Sequence, residues 1–216
     1  SQVVGLPSTE IELLPPGDDV CLYGFCRSLL PPPPDWPPGA VVTGPWWLET
    51  PESWRPPEAL DRFLRGSGKV VFIGFGSMMD SHPGNLNAIV DRALTRLGCR
   101  AVLLAGPAGQ LDLPPSPRRL AVRDVPFDWL FHRVDAIVHH GGAGTTAQAA
   151  RAGKPSVSVP FFGDQLFWGQ RIHAAGGGPR PIRRRALTSV RLVTALDEAL
   201  HDPRRADRAA RLGTRV

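Results

Sequence analysis

The chain contains 216 residues, of which 42% are hydrophobic, with 25 Lys+Arg against 20 Asp+Glu. It has no run of about 18 apolar residues, so we expect no membrane-spanning helix, and its start lacks the basic and apolar segments of a secretory signal. Three cysteines without metal-ligand spacing argue against a disulfide framework or a metal site and predict a cytoplasmic location. The net charge of +5 is carried almost wholly by arginine, which indicates a compositional bias and not nucleic-acid binding.

Residues 1–68 are interrupted throughout by proline. Proline fixes the backbone and removes a hydrogen-bond donor, so we predict a proline-rich arm of mostly extended chain, with short strands at 20–25 and 41–43. The tryptophans of this segment supply apolar surface that would pin the arm to the rest of the protein. A ligand-stacking role for Trp46 or Trp47 is the alternative.

From residue 69 onward, short apolar runs alternate with stretches of helical character. The apolar runs predict strands at 69–75, 100–104, 120–122, 136–139 and 156–160. The intervening stretches predict helices at 83–97, 127–132, 143–152, 164–175, 188–201 and 203–211. Continuous apolar runs separated by helices are typical of parallel strands that are covered on both faces. The sequence therefore predicts an α/β fold with a doubly wound parallel sheet.

Two of the predicted strands end in glycine-rich turns that carry hydroxyl side chains. The first turn is residues 74–78 (GFGSM) and the second is residues 139–146 (HHGGAGTT). Ligands of such sheets bind beyond the carboxyl ends of the strands, and glycines at a helix start let an anion approach unpaired backbone N–H groups. His140 adds an imidazole donor, so the second turn favours a phosphate site, whereas the first could be a simple tight turn. Neither the P-loop nor the dinucleotide fingerprint is present.

An acid and an amide, Asp164 and Gln165, stand at the start of a predicted helix just after the last predicted strand. A carboxylate accepts hydrogen bonds from two hydroxyls, and an amide both donates and accepts them. This pair therefore suits a polyol ligand. The alternative is that Asp164 only caps the helix.

Seven stretches, in order and correctly spaced, make the chain similar to the C-terminal, donor-binding half of GT-B-fold UDP-glycosyltransferases. They are VVTGPW at 41–46, GFGSM at 74–78, DVPFDWLF at 124–131, HHGGAGTT at 139–146, RAGKP at 151–155, PFFGDQ at 160–165 and PI at 181–182. Within that group the chain most resembles sterol 3-β-glucosyltransferases and bacterial antibiotic glycosyltransferases. The resemblance implies a Rossmann-like domain at 69–216 that binds a nucleotide-sugar donor. It also implies that residues 1–68 hold the end of an N-terminal domain and the interdomain linker.

The resemblance also implies roles for individual residues. Val125, through its backbone, would meet the base, and Gln148 would bind the ribose. Asp164 and Gln165 would grip hydroxyls of the transferred sugar. Plant members carry a base-stacking tryptophan where Asp124 stands, so base stacking must come from elsewhere or be weaker. They carry a glutamate where Gln148 stands, so the ribose contact lacks a charge. The residues implied for the donor diphosphate are Ser77, His140, Gly142, Gly144 and Thr145.

The implied reaction is inverting transfer of a hexosyl group from a nucleoside-diphosphate sugar, UDP-glucose or similar, to a hydroxyl of a sterol, polyketide or glycolipid. No residue here matches the catalytic base of the family, which lies in the N-terminal domain. We therefore expect no catalytic residue in this chain and little activity of the chain alone. We expect no metal or other cofactor, because His140 and two helix ends would serve the phosphates.

The resemblance implies two partners: the nucleotide-sugar donor and a lipophilic acceptor, the latter through a missing N-terminal domain or a partner chain. Nucleic acid is not expected, and peripheral contact with a membrane stays open. Two other functions stay open as well, a non-catalytic nucleotide-sugar-binding subunit and a nucleotide-sugar epimerase-like protein. The choice between UDP and TDP donors, and between a fragment and one subunit of a split enzyme, is also open.

A basic cluster is formed by Arg180 and the three arginines at 183–185. A solvated face or a domain contact is the simplest interpretation of such a cluster. Binding of an anionic lipid or a phosphate is the alternative.

Overall fold

A computed structural model of the chain describes residues 20–78, 83–105, 111–114 and 116–216. The strands of the described ranges are β1 (Cys21–Tyr23), β2 (Ala40–Val42), β3 (Val70–Gly74), β4 (Arg100–Leu104), β5 (Arg119–Val122), β6 (Ala136–His139) and β7 (Ser156–Ser158). The helices are α1 (Glu58–Arg65), α2 (Pro83–Leu97), α3 (Phe127–Phe131), α4 (Ala143–Arg151), α5 (Gln165–Ala174), α6 (Ser189–His201) and α7 (Pro203–Gly213), with a 3₁₀ turn at Arg184–Ala186.

Five of the strands form one sheet in the order β5-β4-β3-β6-β7, and every neighbouring pair is parallel. Successive side chains of a strand point to opposite faces, and both faces of this sheet are buried. In β3, Val71 and Ile73 pack in one apolar cluster with residues of α2 and α6, whereas Val70 and Phe72 pack in a second cluster with residues of α1 and α3. The predicted doubly wound parallel sheet is confirmed.

Helix α1 is absent from the elements predicted from the sequence. Pro57 precedes its first residue, and Leu60, Phe63 and Leu64 follow at the three- and four-residue spacing of one helix face. Leu60 is 1% exposed and packs in the same cluster as Val70. The surrounding prolines obscured, in the sequence, a short helix that begins directly after Pro57.

The chain before α1 is attached to the sheet domain by polar and aromatic contacts. The Thr50 N–H donates to Asp128 Oδ2 at 2.8 Å, and the rings of Trp54 and Trp129 lie 5.0 Å apart. Burial would raise the pKa of Asp128, but the hydrogen bonds from the Thr50 hydroxyl and N–H outweigh it and lower that pKa. Residues 1–19 of the predicted arm lie outside the described residues, so the arm and the division at residue 68 stay predictions.

Strands β1 and β2 form a separate parallel pair in which Leu22 stands opposite Val41. Both side chains are exposed, at 53% and 39%.

None of the helices in the described ranges combines the length and apolar character that a membrane crossing needs.

Candidate functional site

The two glycine-rich turns follow the two central strands of the sheet. The chain proceeds outward from β3 through β4 to β5 on one side, and from β6 to β7 on the other, so the strand order reverses between β3 and β6. Gly74 at the end of β3 is paired with His139 at the end of β6. The two turns therefore begin side by side at the point where sheets of this kind bind ligands.

The imidazole of His140 lies between the two turns. A Cβ atom on Gly142 would stand 2.4 Å from His140 Nε2, and one on Gly76 would stand 3.1 Å from His140 Cε1. Gly76 also has a φ of +61°, a conformation that favours glycine. Both glycines thus make room for one ring, and the exposed Ser77 directly follows Gly76.

His140 is half-buried, and within the described ranges its buried Nδ1 atom has no hydrogen-bond partner. Burial lowers the pKa of His140, and the negative charge of Asp164 partly opposes this. The ring is therefore held neutral with a polar atom left to satisfy. Buried polar atoms usually have a partner, so this unsatisfied nitrogen marks the ring as a candidate binding group.

His139 is fully buried and holds the turn. Its Nδ1 accepts from the Gly141 N–H at 3.1 Å, so Nε2 carries the proton and donates to Ser156 Oγ at 3.2 Å. Burial, with a smaller contribution from His140, lowers the pKa of His139 to about 3. No role was expected for His139 from the sequence alone. The apolar run before it could have indicated its burial, since His139 ends a strand that is covered on both faces.

Helix α4 begins at this edge without a side-chain cap. Its N-cap residue is Gly142, and its first turn contains no acidic residue. A Cβ on Gly144 would meet nothing within 4 Å, so the approach to the helix start is open. Thr145 is half-buried, and the buried Thr146 has a hydroxyl without a partner among the described residues. Backbone N–H groups and the positive end of the helix dipole here favour a negative ligand.

The residues implied for the base and ribose lie beside α4. Gln148 lines a cavity of about 160 Å³ together with Gly144, Trp46 and Trp47. The side chain of Val125 is buried in the core, so only its backbone can face a ligand. A stacking role for Trp46 stays open, since its ring is 71% exposed at the rim of this cavity.

Asp164 and Gln165 differ in their environment. Asp164 is exposed, occupies the N-cap position of α5 without capping it, and accepts from Trp168 Nε1 at 2.8 Å. Gln165 is 4% exposed; its Oε1 accepts from the Phe161 N–H at 2.8 Å, and its Nε2 donates to Met78 Sδ at 2.9 Å. Gln165 thus braces the turn after β3 against the loop after β7. The free carboxylate edge of Asp164 is available for a hydroxyl, whereas the Gln165 amide would first have to exchange a partner.

Within the described ranges, no group of three or more His, Cys, Asp or Glu side chains is arranged to hold a metal ion. The cysteines described there, Cys21, Cys26 and Cys99, are free thiols.

Comparisons with known proteins match the chain to one family. The model of the erythromycin biosynthesis protein CIII-like C-terminal domain matches residues 102–215. A sterol 3-beta-glucosyltransferase of Emericella nidulans is 38% identical over 99% of this chain and 16% of its own length. A sterol 3-beta-glucosyltransferase of Arabidopsis thaliana is 40% identical over 83% of this chain and 28% of its own length. The chain therefore spans less than a third of these relatives.

Solved structures share the fold. The glycotransferase of kitacinnamycin superposes with a TM-score of 0.72 at 23% identity, covering 91% of this chain and 50% of that one. The calicheamicin glycosyltransferase CalG4 gives a TM-score of 0.68 at 23% identity, covering 90% of this chain and 47% of that one. The resemblance to the C-terminal half of GT-B glycosyltransferases is thus confirmed. The chain belongs to the family of erythromycin biosynthesis protein CIII-like C-terminal domains.

Proposed function

We propose that the chain is the donor-binding half of an inverting glycosyltransferase. It would bind a nucleoside-diphosphate hexose, UDP-glucose or similar, and present it to a hydroxyl of a lipophilic acceptor. The observation that carries the proposal is the half-buried His140 imidazole, which lies between Gly76 and Gly142 beside the uncapped start of α4. The similarity to two sterol 3-beta-glucosyltransferases supports the acceptor class.

The diphosphate would lie between the two turns. His140, the N–H groups at Gly142, Gly144 and Thr145, and the Ser77 hydroxyl would donate to it. These donors matter most in the transition state, because negative charge builds on the leaving phosphate as its bond to the sugar breaks. Loss of one preorganised donor typically costs about 10²–10³ in rate at comparable sites. With these donors in place, we propose that transfer needs no metal.

The remaining contacts would select the donor. Val125, through its backbone, would meet the base, Gln148 would bind the ribose diol, and Asp164 would accept from sugar hydroxyls. The main role of Gln165 would be to hold the loop that carries Asp164, because its amide is bound to protein atoms.

The reaction forms a bond between the acceptor oxygen and the anomeric carbon and breaks the bond from that carbon to the phosphate oxygen. The acceptor proton passes to a base, and the nucleoside diphosphate leaves. No residue of this chain matches the base of the family, and a positioned base contributes about 10²–10⁴ in rate. We therefore propose that the chain alone binds donor but transfers sugar poorly. We also propose a cytoplasmic location, because the described cysteines are free thiols and a reducing compartment keeps thiols in that state.

Calorimetric titration with UDP, uridine and UDP-glucose tests the donor site. We expect UDP to bind and uridine to bind far more weakly, because the proposed contacts are mainly to phosphate. Asp164→Ala should weaken UDP-glucose binding while leaving UDP binding unchanged. Equal affinities for UDP and uridine would refute the proposal.

A further inference from the structure

A second concave surface lies beside α5 and is lined by none of the residues proposed to bind the donor. It is a cavity of about 470 Å³ between α5 and the segment before α6, and its lining includes Arg180, Arg183 and Arg191. A neighbouring cavity of about 250 Å³ is lined by the arginines at 183–185 and by Phe162. The two cavities share Leu166 and Arg183, so they form one surface, here named the basic groove.

The rim of the basic groove is positively charged. Its lining contains five arginines and no acidic residue: Arg180, Arg183, Arg184, Arg185 and Arg191. Four of the five are exposed, and none of these makes an ion pair with any carboxylate of the described ranges: Arg180, Arg183, Arg185 and Arg191. Arg191 Nη1 instead donates to the Ala186 carbonyl at 2.9 Å. Elsewhere in these ranges, arginines such as Arg62 and Arg211 are paired with acids one helical turn away. The basic groove therefore carries a concentrated positive charge that can attract an anionic partner.

The floor of the basic groove is apolar. Leu166, Pro181 and Ile182 line the larger cavity, and Phe161 lines the smaller. The Phe162 ring is 66% exposed at the rim, although the side chains of the neighbouring core are buried. A cationic rim above an apolar floor suits an anionic amphiphile better than a free phosphate, which could not use the phenyl ring or the floor.

We propose that the basic groove docks the protein on a bilayer that contains anionic phospholipids. The arginines bind lipid phosphates, and Phe162 enters the interfacial layer, where aromatic rings are favoured. Phe162 belongs to the loop after β7, which Gln165 ties to the turn after β3. Phe162 stands two residues before Asp164 in this loop, so docking there brings the proposed sugar contact close to the membrane. The inference rests on the proposed function only in that a lipophilic acceptor resides in such a bilayer.

Vesicle co-sedimentation tests the docking. Wild-type chain is mixed with vesicles of phosphatidylcholine alone, or of phosphatidylcholine with a minor fraction of phosphatidylglycerol. We expect binding to the second only, weakening with salt. A triple variant, Arg180→Gln, Arg183→Gln and Arg185→Gln, should lose roughly fivefold in vesicle affinity per arginine, or about 100-fold in all, on the basis of the usual contribution of one basic residue.

A matched variant controls for net charge. This control variant lacks three positive charges at exposed sites on α2 and α7 and should bind vesicles like wild type. Its substitutions are Arg92→Gln, Arg96→Gln and Arg204→Gln. Phe162→Ser should weaken binding several-fold, whereas Leu48→Ser, at a side chain that is 91% exposed, should not. Circular dichroism melting confirms that each variant is folded.

Three results would overturn the inference: no preference for anionic vesicles, equal losses in the two triple variants, or full binding by the groove variant. UDP titration of the same proteins keeps the two proposals apart. A chain that binds UDP but no vesicles contradicts the docking alone. A chain that binds vesicles but not UDP contradicts the donor site alone.

Discussion

Two adjacent histidines at the end of β6 have opposite tasks. His139 is buried, keeps its proton on Nε2 and holds the Gly141 N–H in place. His140, next in the chain, occupies the opening between Gly76 and Gly142 with a ring nitrogen left unsatisfied among the described residues. The first residue shapes the turn, and the second faces the ligand that we propose.

Substitution of Gly142 by alanine tests the space reserved for the imidazole. The added methyl group would stand 2.4 Å from His140 Nε2 and force the ring out of position. We expect UDP affinity to fall about 10- to 100-fold, as for loss of a hydrogen bond to a charged group. In a double-mutant cycle, Gly142→Ala should add little to His140→Ala. Independent, additive losses in calorimetry would show that the methyl group acts on something else.

The buried His139 predicts a pH-dependent stability. The unfolded histidine binds a proton near pH 6.5, whereas the folded one does so only at about 3. Between these values the unfolded state binds more protons, so stability is full above pH 6.5 and falls as the pH drops. Urea unfolding should show about 2 kcal/mol lost between pH 7 and pH 5 on this account, and His139→Asn should abolish most of that loss. An unchanged pH dependence in the variant would contradict this assignment.

At the scale of elements, the sequence predicted the parts whose signal is local. The apolar runs of β3, β4 and β6 and the helices between them lie where the pattern placed them, because parallel strands buried on both faces need such runs. Helix α1 was missed because prolines dominated its surroundings. The bond from Gln165 to Met78 joins residues 87 positions apart, and no local pattern reports it. For the same reason, the sequence could not show that the Gln165 amide is already hydrogen-bonded to protein atoms.

Helix α1 is expected to stabilise the sheet domain. Leu60 is 1% exposed within the cluster that covers one sheet face, so Leu60→Ala should cost about 2–5 kcal/mol in the free energy of unfolding. Leu48→Ala, at a side chain that is 91% exposed, should change it by less than about 0.5 kcal/mol. Urea titration compares the two, and similar small effects would mean that α1 is only loosely attached.

For the whole molecule, the fold gathers distant segments on one edge. The reversal of strand order between β3 and β6 brings together turns that are more than sixty residues apart in the chain. The loop after β7 carries Phe162 and Asp164, and Gln165 at its end bonds both to this loop and to Met78 in the turn after β3. The proposed sugar contact at Asp164 and the proposed membrane contact at Phe162 would thus lie on one loop, which suits transfer to an acceptor held in a bilayer.

The most direct test of the donor site is calorimetric titration of the wild-type chain and the His140→Ala variant with UDP, with His201→Ala as the control for an exposed imidazole. We predict that the wild type and His201→Ala bind UDP alike, and that His140→Ala binds it about 10- to 100-fold more weakly. Equal affinity of all three proteins, or no binding by the wild type, would contradict the account.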